Sequence, residues 1–208
     1  KESLICGWAL IKKLLKKYSV NFIPVDSEHF SIFSLINNQN YNSVDEIYIT
    51  ASGGPFLKKN IINLKNIKLW KALNHTNWIK ILIHEPNMKI PIFNSLYLHK
   101  NKKINSKNID LSLLNNLELS KPDAKQFPLI KILNHLPNFN SLYETALITI
   151  NDYFVYKFLE KKITYSSLIS NIYKFSKIPE FYKFSKIPVK NILDIKKTRD
   201  YVSSKLKT

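Results

Sequence analysis

The sequence predicts an α+β fold in which strands and helices are mixed at first and helices follow alone. Short β-branched runs over 46–51 and 79–83 predict strands in the first part of the chain. A polar, Lys- and Asn-rich stretch over 100–110 marks a linker. Beyond the linker, apolar stripes at helical spacing dominate. The 208 residues are enough for one sizeable core or two small ones.

The first part opens with an amphipathic helix over 4–18, where apolar residues recur at helical spacing with lysines between them. A mostly apolar run over 20–25 has strand character and leads into two carboxylates. The other elements expected before the linker are a helix over 29–36, a surface loop over 37–43, a strand over 46–51, a helix over 67–74 and a strand over 79–83.

Helices are expected throughout the part of the chain that follows the linker. One of them has the stripe of a core helix along one side, formed by Leu142, Ala146, Ile150, Tyr153, Phe154 and Phe158. The expected helices span 127–135, 141–161, 165–175 and 189–205.

The net charge of +17 comes almost entirely from lysine, since Arg199 is the only arginine. Specific nucleic-acid readers rely on arginine, whose planar fork bonds phosphate and guanine in bidentate fashion. Lys, Asn, Ile, Tyr and Phe are all abundant here, and their codons are rich in A and T. We therefore attribute the charge to a biased genome and expect no specific nucleic-acid partner.

Cys6 is the only cysteine, so the sequence holds neither a disulfide framework nor a thiolate zinc site. No apolar run approaches the ~20 residues needed to cross a bilayer, and the first residues do not resemble a signal peptide. These features predict a reducing compartment, which is the cytoplasm or, if the source is eukaryotic, a plastid-like organelle, and they predict no membrane partner.

The hexapeptide Pro24-Val25-Asp26-Ser27-Glu28-His29 carries the clearest chemistry. If Val25 closes a strand, Asp26 and Glu28 leave its end on the same side, because side chains alternate along a strand. Two hard oxygen ligands at one point are half of a Mg²⁺ or Mn²⁺ site. The alternative interpretation, from the hexapeptide alone, is a solvated acidic turn.

A second motif, Ser52-Gly53-Gly54-Pro55-Phe56, follows the strand predicted over 46–51. Paired glycines after a strand let the backbone approach a ligand closely, and successive amides can bind an anion. A tight turn is the alternative. The chain has only three glycines, and two of them lie here beside a serine, which favours the functional interpretation.

Taken together, these motifs resemble the 1-deoxy-D-xylulose 5-phosphate reductoisomerase family. Its members are NADPH- and metal-dependent enzymes of the non-mevalonate isoprenoid pathway, which isomerise their substrate and reduce it to 2-C-methyl-D-erythritol 4-phosphate. The resemblance covers nearly the whole chain, in family order. It rests on Lys1-Glu2-Ser3 and on residues 24–29, 51–56, 75–78, 85–92, 121–128 and 145–151.

The resemblance implies a role for individual residues. Asp26 and Glu28 would ligate Mg²⁺ or Mn²⁺, and Glu2 would contact NADPH. His75 and Trp78 would serve catalysis, His75 at the sugar phosphate and Trp78 at the start of a lid that excludes water. The contacts to the sugar-phosphate substrate would come from Lys1, Ser27, Glu28, Ser52, His75 and Met88.

Two departures from the family pattern affect which parts of the enzyme we expect in this chain. No glycine-rich dinucleotide loop occurs, so the N-terminal Rossmann-type domain is expected to be absent. Several dozen residues are missing between Trp78 and Glu85, where the family carries a third metal carboxylate and its phosphate-holding side chains; Thr76 also replaces a proline. We therefore expect a truncated, internally deleted member of the family. Its mixed-sheet catalytic domain would span 1–119 and a helical bundle would span 120–208.

Two functions fit these expectations. The first is an enzyme remnant of the reductoisomerase that is inactive as this chain alone. The alternative is a non-catalytic module that pairs with a second copy, because the family forms homodimers through its central domain.

Overall fold

The structure is a computed structural model that describes residues 2–36, 87–97, 102, 104, 123–125 and 127–207, and the backbone of strands over 44–49, 68–74 and 79–84. Two compact units form, one from Lys1–Asn21 with Lys121–Thr208 and one from Phe22–Ser120. The first helix therefore packs with the C-terminal helices. The division of roles between 1–119 and 120–208 stays a prediction. The predicted loop over 37–43 and nearly all of the linker over 100–110 lie outside the described residues.

In chain order, the described elements are α1 (Glu2–Tyr18), α2 (Ser27–Ile36), β1 (Val44–Ile49), β2 (Lys68–Asn74), β3 (Ile79–His84), α3 (Lys89–Leu96), α4 (Ile130–Leu133), α5 (Leu142–Leu159), α6 (Tyr165–Ser176), α7 (Pro179–Tyr182) and α8 (Ile192–Lys207). A short 3₁₀ helix over Lys183–Lys186 follows α7. The helices predicted over 4–18, 29–36, 141–161, 165–175 and 189–205 are confirmed, and the one over 127–135 is reduced to α4. None of the helices in the described ranges is both long and apolar enough to cross a membrane.

Helix α5 is the centre of the helical unit and packs against α1, α6 and α8. A capping box begins it: the Ser141 hydroxyl accepts from the Tyr143 N–H at 3.1 Å, and Glu144 accepts from the Ser141 N–H at 3.1 Å. Tyr143 donates its buried hydroxyl to the Ser176 carbonyl at 2.7 Å, which ties α5 to the end of α6. The buried apolar core comprises Leu142, Tyr143, Ala146, Ile150, Phe154, Leu168, Ile172, Phe181, Phe184, Val189, Val202 and Leu206.

Helix α1 is kinked at Gly7, whose φ and ψ of −136° and 21° are not helical. In a regular helix the Ala9 N–H would donate to the Ile5 carbonyl, four residues earlier. The Asn140 side chain bonds both of these groups: Nδ2 donates to the Ile5 carbonyl at 2.9 Å, and Oδ1 accepts from the Ala9 N–H at 3.2 Å. A single amide thus satisfies the backbone on both sides of the kink, which is how an inserted side chain stabilises a bent helix.

Helix α1 ends in a Schellman motif. Ser19 has a φ of 51°, its N–H donates to the Lys16 carbonyl at 3.4 Å, and the Val20 N–H donates to the Leu15 carbonyl at 3.2 Å. The strand predicted over 20–25 is wrong, because these residues have no regular secondary structure. The Val20 N–H is used to close α1 and Pro24 has no N–H, so the run has fewer donors for a ladder.

The other unit holds a three-stranded antiparallel sheet in the order β1-β2-β3. Ile47 of β1 lies opposite Ala72, and Trp70 of β2 lies opposite Leu82. The strands predicted over 46–51 and 79–83 are confirmed with shifted bounds. A mixed sheet was expected, whereas both pairings in the described part of the chain are antiparallel.

Two further predictions in this unit need correction. The helix predicted over 67–74 is wrong, since these residues form β2, the central strand. Leu, Lys and Ala are good helix formers, but pairing along both edges outweighs local propensity. Helix α3 was not predicted at all. Its Pro91 lies in the first turn, where the missing N–H of proline costs no helical hydrogen bond.

We predict that Asn140→Ala destabilises the chain by about 1–2 kcal/mol, because two backbone groups of α1 lose their partner. Urea unfolding followed by circular dichroism measures the change. Asn138→Ala, at an exposed neighbouring position, is the control and should unfold like the wild type. Equal midpoints for both variants and the wild type would contradict a role for the amide.

Candidate metal site

The candidate metal site lies at the N-terminus of α2, which Asp26 caps. Its Oδ1 accepts from the backbone N–H of His29 at 3.0 Å, and its backbone carbonyl accepts from the Phe30 N–H at 2.9 Å. Aspartate is preferred at this position because the first N–H groups of a helix lack intrahelical partners. The residue expected at the end of a strand therefore starts a helix.

The same carboxylate oxygen has a second contact with the same residue. His29 Nδ1 lies 2.8 Å from Asp26 Oδ1, with both side chains partly exposed. No separate role was predicted for His29. The available signal was its spacing, since the third residue after a helix cap is where side chains reach back to the cap.

Ser27 and Glu28 complete the first turn. The Ser27 hydroxyl donates to Glu28 Oε2 at 2.8 Å, and the Ser31 hydroxyl donates to the Ser27 carbonyl at 2.5 Å. Ser27 is only 3% exposed. The Ser27 hydroxyl is thus hydrogen-bonded to the neighbouring carboxylate of Glu28. The predicted contact of Ser27 with the substrate stays a prediction.

The prediction that Asp26 and Glu28 leave the end of a strand on the same side is wrong, because no strand precedes them in the described residues 2–25. The two residues lie instead at the cap and in the first turn of one helix. Their oxygens suit a hard divalent cation such as Mg²⁺ or Mn²⁺. Within the described residues, no group of three or more His, Cys, Asp or Glu side chains could hold a metal ion.

The structure describes two of the other predicted site residues. Met88 is 48% exposed and directly precedes α3, which packs against α2. Glu2 is exposed in the first turn of α1 and belongs to the other unit. Lys1, Ser52, His75 and Trp78 lie outside the described residues, so their roles stay predictions.

We predict that Asp26→Ala frays the start of α2, because the His29 N–H loses its acceptor. Removing such a cap typically costs about 0.5–2 kcal/mol. Amide exchange of His29 and Phe30 should accelerate in this variant. Asp26→Asn should leave exchange near the wild-type rate, since asparagine caps as well as aspartate. Unchanged exchange in Asp26→Ala would show that Asp26 does not cap the helix.

Two family models match this chain. One, the 1-deoxy-D-xylulose 5-phosphate reductoisomerase C-terminal domain, matches residues 22–83. The other, the DXP reductoisomerase C-terminal domain, matches residues 83–201. The candidate metal site lies within the first match.

Curated relatives agree with the family models. The 1-deoxy-D-xylulose 5-phosphate reductoisomerase of Pelagibacter ubique is 40% identical over 260 residues, which cover 99% of this chain and 67% of the relative. The Lachnospira eligens enzyme of the same name is 28% identical over 219 residues, covering 79% of this chain and 58% of the relative. The Pelagibacter match of 260 residues is longer than this chain of 208, so at least 52 of its positions have no counterpart here.

Solved structures show the same fold. The reductoisomerase from Zymomonas mobilis in complex with NADPH superposes with a TM-score of 0.79 at 19% identity, covering 99% of this chain and 65% of that one. A reductoisomerase structure with fosmidomycin and magnesium gives a TM-score of 0.78 at 20% identity, with coverage of 99% and 68%.

The chain thus spans about 58–67% of the length of these two curated relatives. Family models match it from residue 22 to residue 201, and its sequence is 40% identical to a reductoisomerase across two thirds of that protein. The chain belongs to the 1-deoxy-D-xylulose 5-phosphate reductoisomerase family and corresponds to its C-terminal domains.

Proposed function

We propose that this chain is the metal- and substrate-binding part of an NADPH-dependent reductoisomerase and that Asp26 and Glu28 are its Mg²⁺ or Mn²⁺ ligands. The observation that carries the proposal is the placement of both carboxylates at the start of α2, inside a segment that matches the family model. Solved relatives with magnesium and with NADPH support the same two cofactors.

The proposed roles follow the chemistry of each side chain. Asp26 and Glu28 would hold the cation, which when bound stabilises negative charge on substrate oxygens. Lys1 and His75 would bind the sugar phosphate, and Met88, exposed before α3, would lie beside the substrate. Ser27 and Ser52 would bond substrate hydroxyl groups, Glu2 would contact NADPH, and Trp78 would begin the lid.

The deletion argues against turnover by these residues alone. By the family resemblance, the segment that carries a third metal carboxylate and phosphate-holding side chains would be missing between Trp78 and Glu85, and at least 52 positions of the Pelagibacter match have no counterpart in this chain. Catalysis of this type depends on positioning, where misplacement by ~1 Å can cost about 100-fold. We therefore propose that the chain retains cation binding and has lost catalysis.

We predict that the purified chain does not oxidise NADPH when it is supplied with 1-deoxy-D-xylulose 5-phosphate and Mn²⁺. Absorbance at the nicotinamide band follows the reaction, and an intact reductoisomerase serves as the positive control. Substrate-dependent NADPH loss above the blank that disappears with a chelator would show that the chain is active.

We predict that the chain binds Mn²⁺ with a dissociation constant of ~0.1–1 mM, the range of weak cation modules. Asp26→Asn should weaken binding at least ~10-fold, because affinity follows the charge of the ligands and this variant keeps the cap. Water-proton relaxation measures the binding. Asp200→Asn removes the same charge from an exposed position on α8 and should bind like the wild type. If the wild type, Asp26→Asn and Asp200→Asn all bound Mn²⁺ equally, the acidic motif would be a solvated turn and not a metal site.

Pairing of two copies stays a prediction, and so does the alternative function of a non-catalytic module. Sizing the chain with and without Mn²⁺ separates the two functions. A pure pairing module should ignore the metal, whereas a chain that retains the enzyme's cation site should bind it at Asp26.

A further inference from the structure

We propose that His29 is a positioning residue for the metal site, holding the Asp26 carboxylate in the orientation in which it meets the cation. The inference rests on the proposed function, because it takes Asp26 as a metal ligand. It adds a residue to which the family resemblance gave no role.

The contact is a double one. His29 gives both its backbone N–H, at 3.0 Å, and its ring Nδ1, at 2.8 Å, to the same oxygen, Asp26 Oδ1. A carboxylate only accepts hydrogen bonds, so Nδ1 carries the hydrogen and donates. In the neutral ring Nε2 is then the nitrogen without a hydrogen.

Two donors on one oxygen restrict a carboxylate more than a cap alone. The backbone N–H holds Oδ1 at the start of the helix, and the ring donor adds a second hydrogen bond that resists rotation of the carboxylate about its Cβ–Cγ bond. The direction of Oδ2 is thereby set as well. The residue that supplies both donors lies within one turn of α2.

Stability alone does not account for the ring contact. The side chain of His29 is 48% exposed and that of Asp26 is 24% exposed, and exposed pairs of this kind contribute little to stability. Orientation of a metal ligand is a larger effect. Hydrogen-bond partners of ligating side chains typically change metal affinity by about 10–100-fold when they are removed.

Three substitutions distinguish the possible roles of the ring. His29→Phe keeps a ring and removes the donor. His29→Asn places an amide N–H where Nδ1 stands and keeps the donor to Asp26. His29→Gln places its amide nearer the position of Nε2, which would suit a ring that ligates the cation directly. All three keep the backbone N–H that completes the cap.

Mn²⁺ titration of the full chain by water-proton relaxation is the test. We expect His29→Phe to bind about 10-fold more weakly than the wild type and His29→Asn to bind within a factor of ~3 of it. Slow amide exchange at Phe30 confirms that α2 is intact in each variant. If His29→Phe bound Mn²⁺ as tightly as the wild type, the proposal would be overturned. It would also be overturned if His29→Gln kept the wild-type Mn²⁺ affinity while His29→Asn lost it.

If the wild type fails to bind Mn²⁺, the proposed metal site is wrong. A second measurement then still tests whether His29 holds Asp26. Long-range ¹H–¹⁵N spectra at pH 8 show which ring nitrogen of His29 carries the hydrogen. We expect Nδ1–H in the wild type and Nε2–H, the form of a free imidazole, in Asp26→Ala. Nε2–H in the wild type would show that His29 does not hold Asp26.

Discussion

A single carboxylate oxygen organises the candidate site. Asp26 Oδ1 accepts the hydrogen bond that starts α2 and the hydrogen bond from the His29 ring. Because the cap fixes where the helix begins, it also places Ser27 and Glu28 in the first turn and directs Phe30 and Ser31 into the buried side of the unit. The placement of the side chains of the motif thus depends on where α2 begins.

The same location sets a limit on cation affinity. The positive end of the helix dipole lies at the N-terminus, where it stabilises the carboxylates of Asp26 and Glu28 and opposes a cation. Two carboxylates offset this opposition, since a full charge exceeds the partial charge of about +0.5 at a helix end. A third carboxylate would shift the balance further, and no third His, Cys, Asp or Glu ligand joins these two within the described residues. Weak binding follows from the charge count.

Amphipathic periodicity was enough to predict α1, α5 and α8, whose apolar residues face a common core. Periodicity predicted the wrong element where the backbone hydrogen bonds of a segment are made with residues outside that segment. The run over 20–25 looks like a strand but connects two helix ends, and β2 looks helical but lies between two strands. Local sequence patterns also cannot predict contacts between residues that are far apart in the sequence. Asn140, which accepts from the Ala9 N–H at the kink of α1, lies 131 positions from Ala9.

At the candidate site too, the residue types and the backbone geometry have to be considered separately. The residue types of the motif predict Asp26 and Glu28 as ligands, because hard oxygens suit Mg²⁺ and Mn²⁺ whatever the backbone does, and this stays a prediction. The geometry was wrong, since alternation along a strand was used for residues that begin a helix. The contact of His29 depends on the helical spacing of three residues and could be found only once the helix start was known.

The central claim is that a cation binds at the start of α2. Substoichiometric Mn²⁺ added to ¹⁵N-labelled protein broadens the amide signals nearest the ion, so the spectrum locates the site directly. The account predicts that the amides of residues 27–30 broaden first and that the effect is lost in Asp26→Asn. Broadening that begins elsewhere, or that is unchanged in Asp26→Asn, would contradict it.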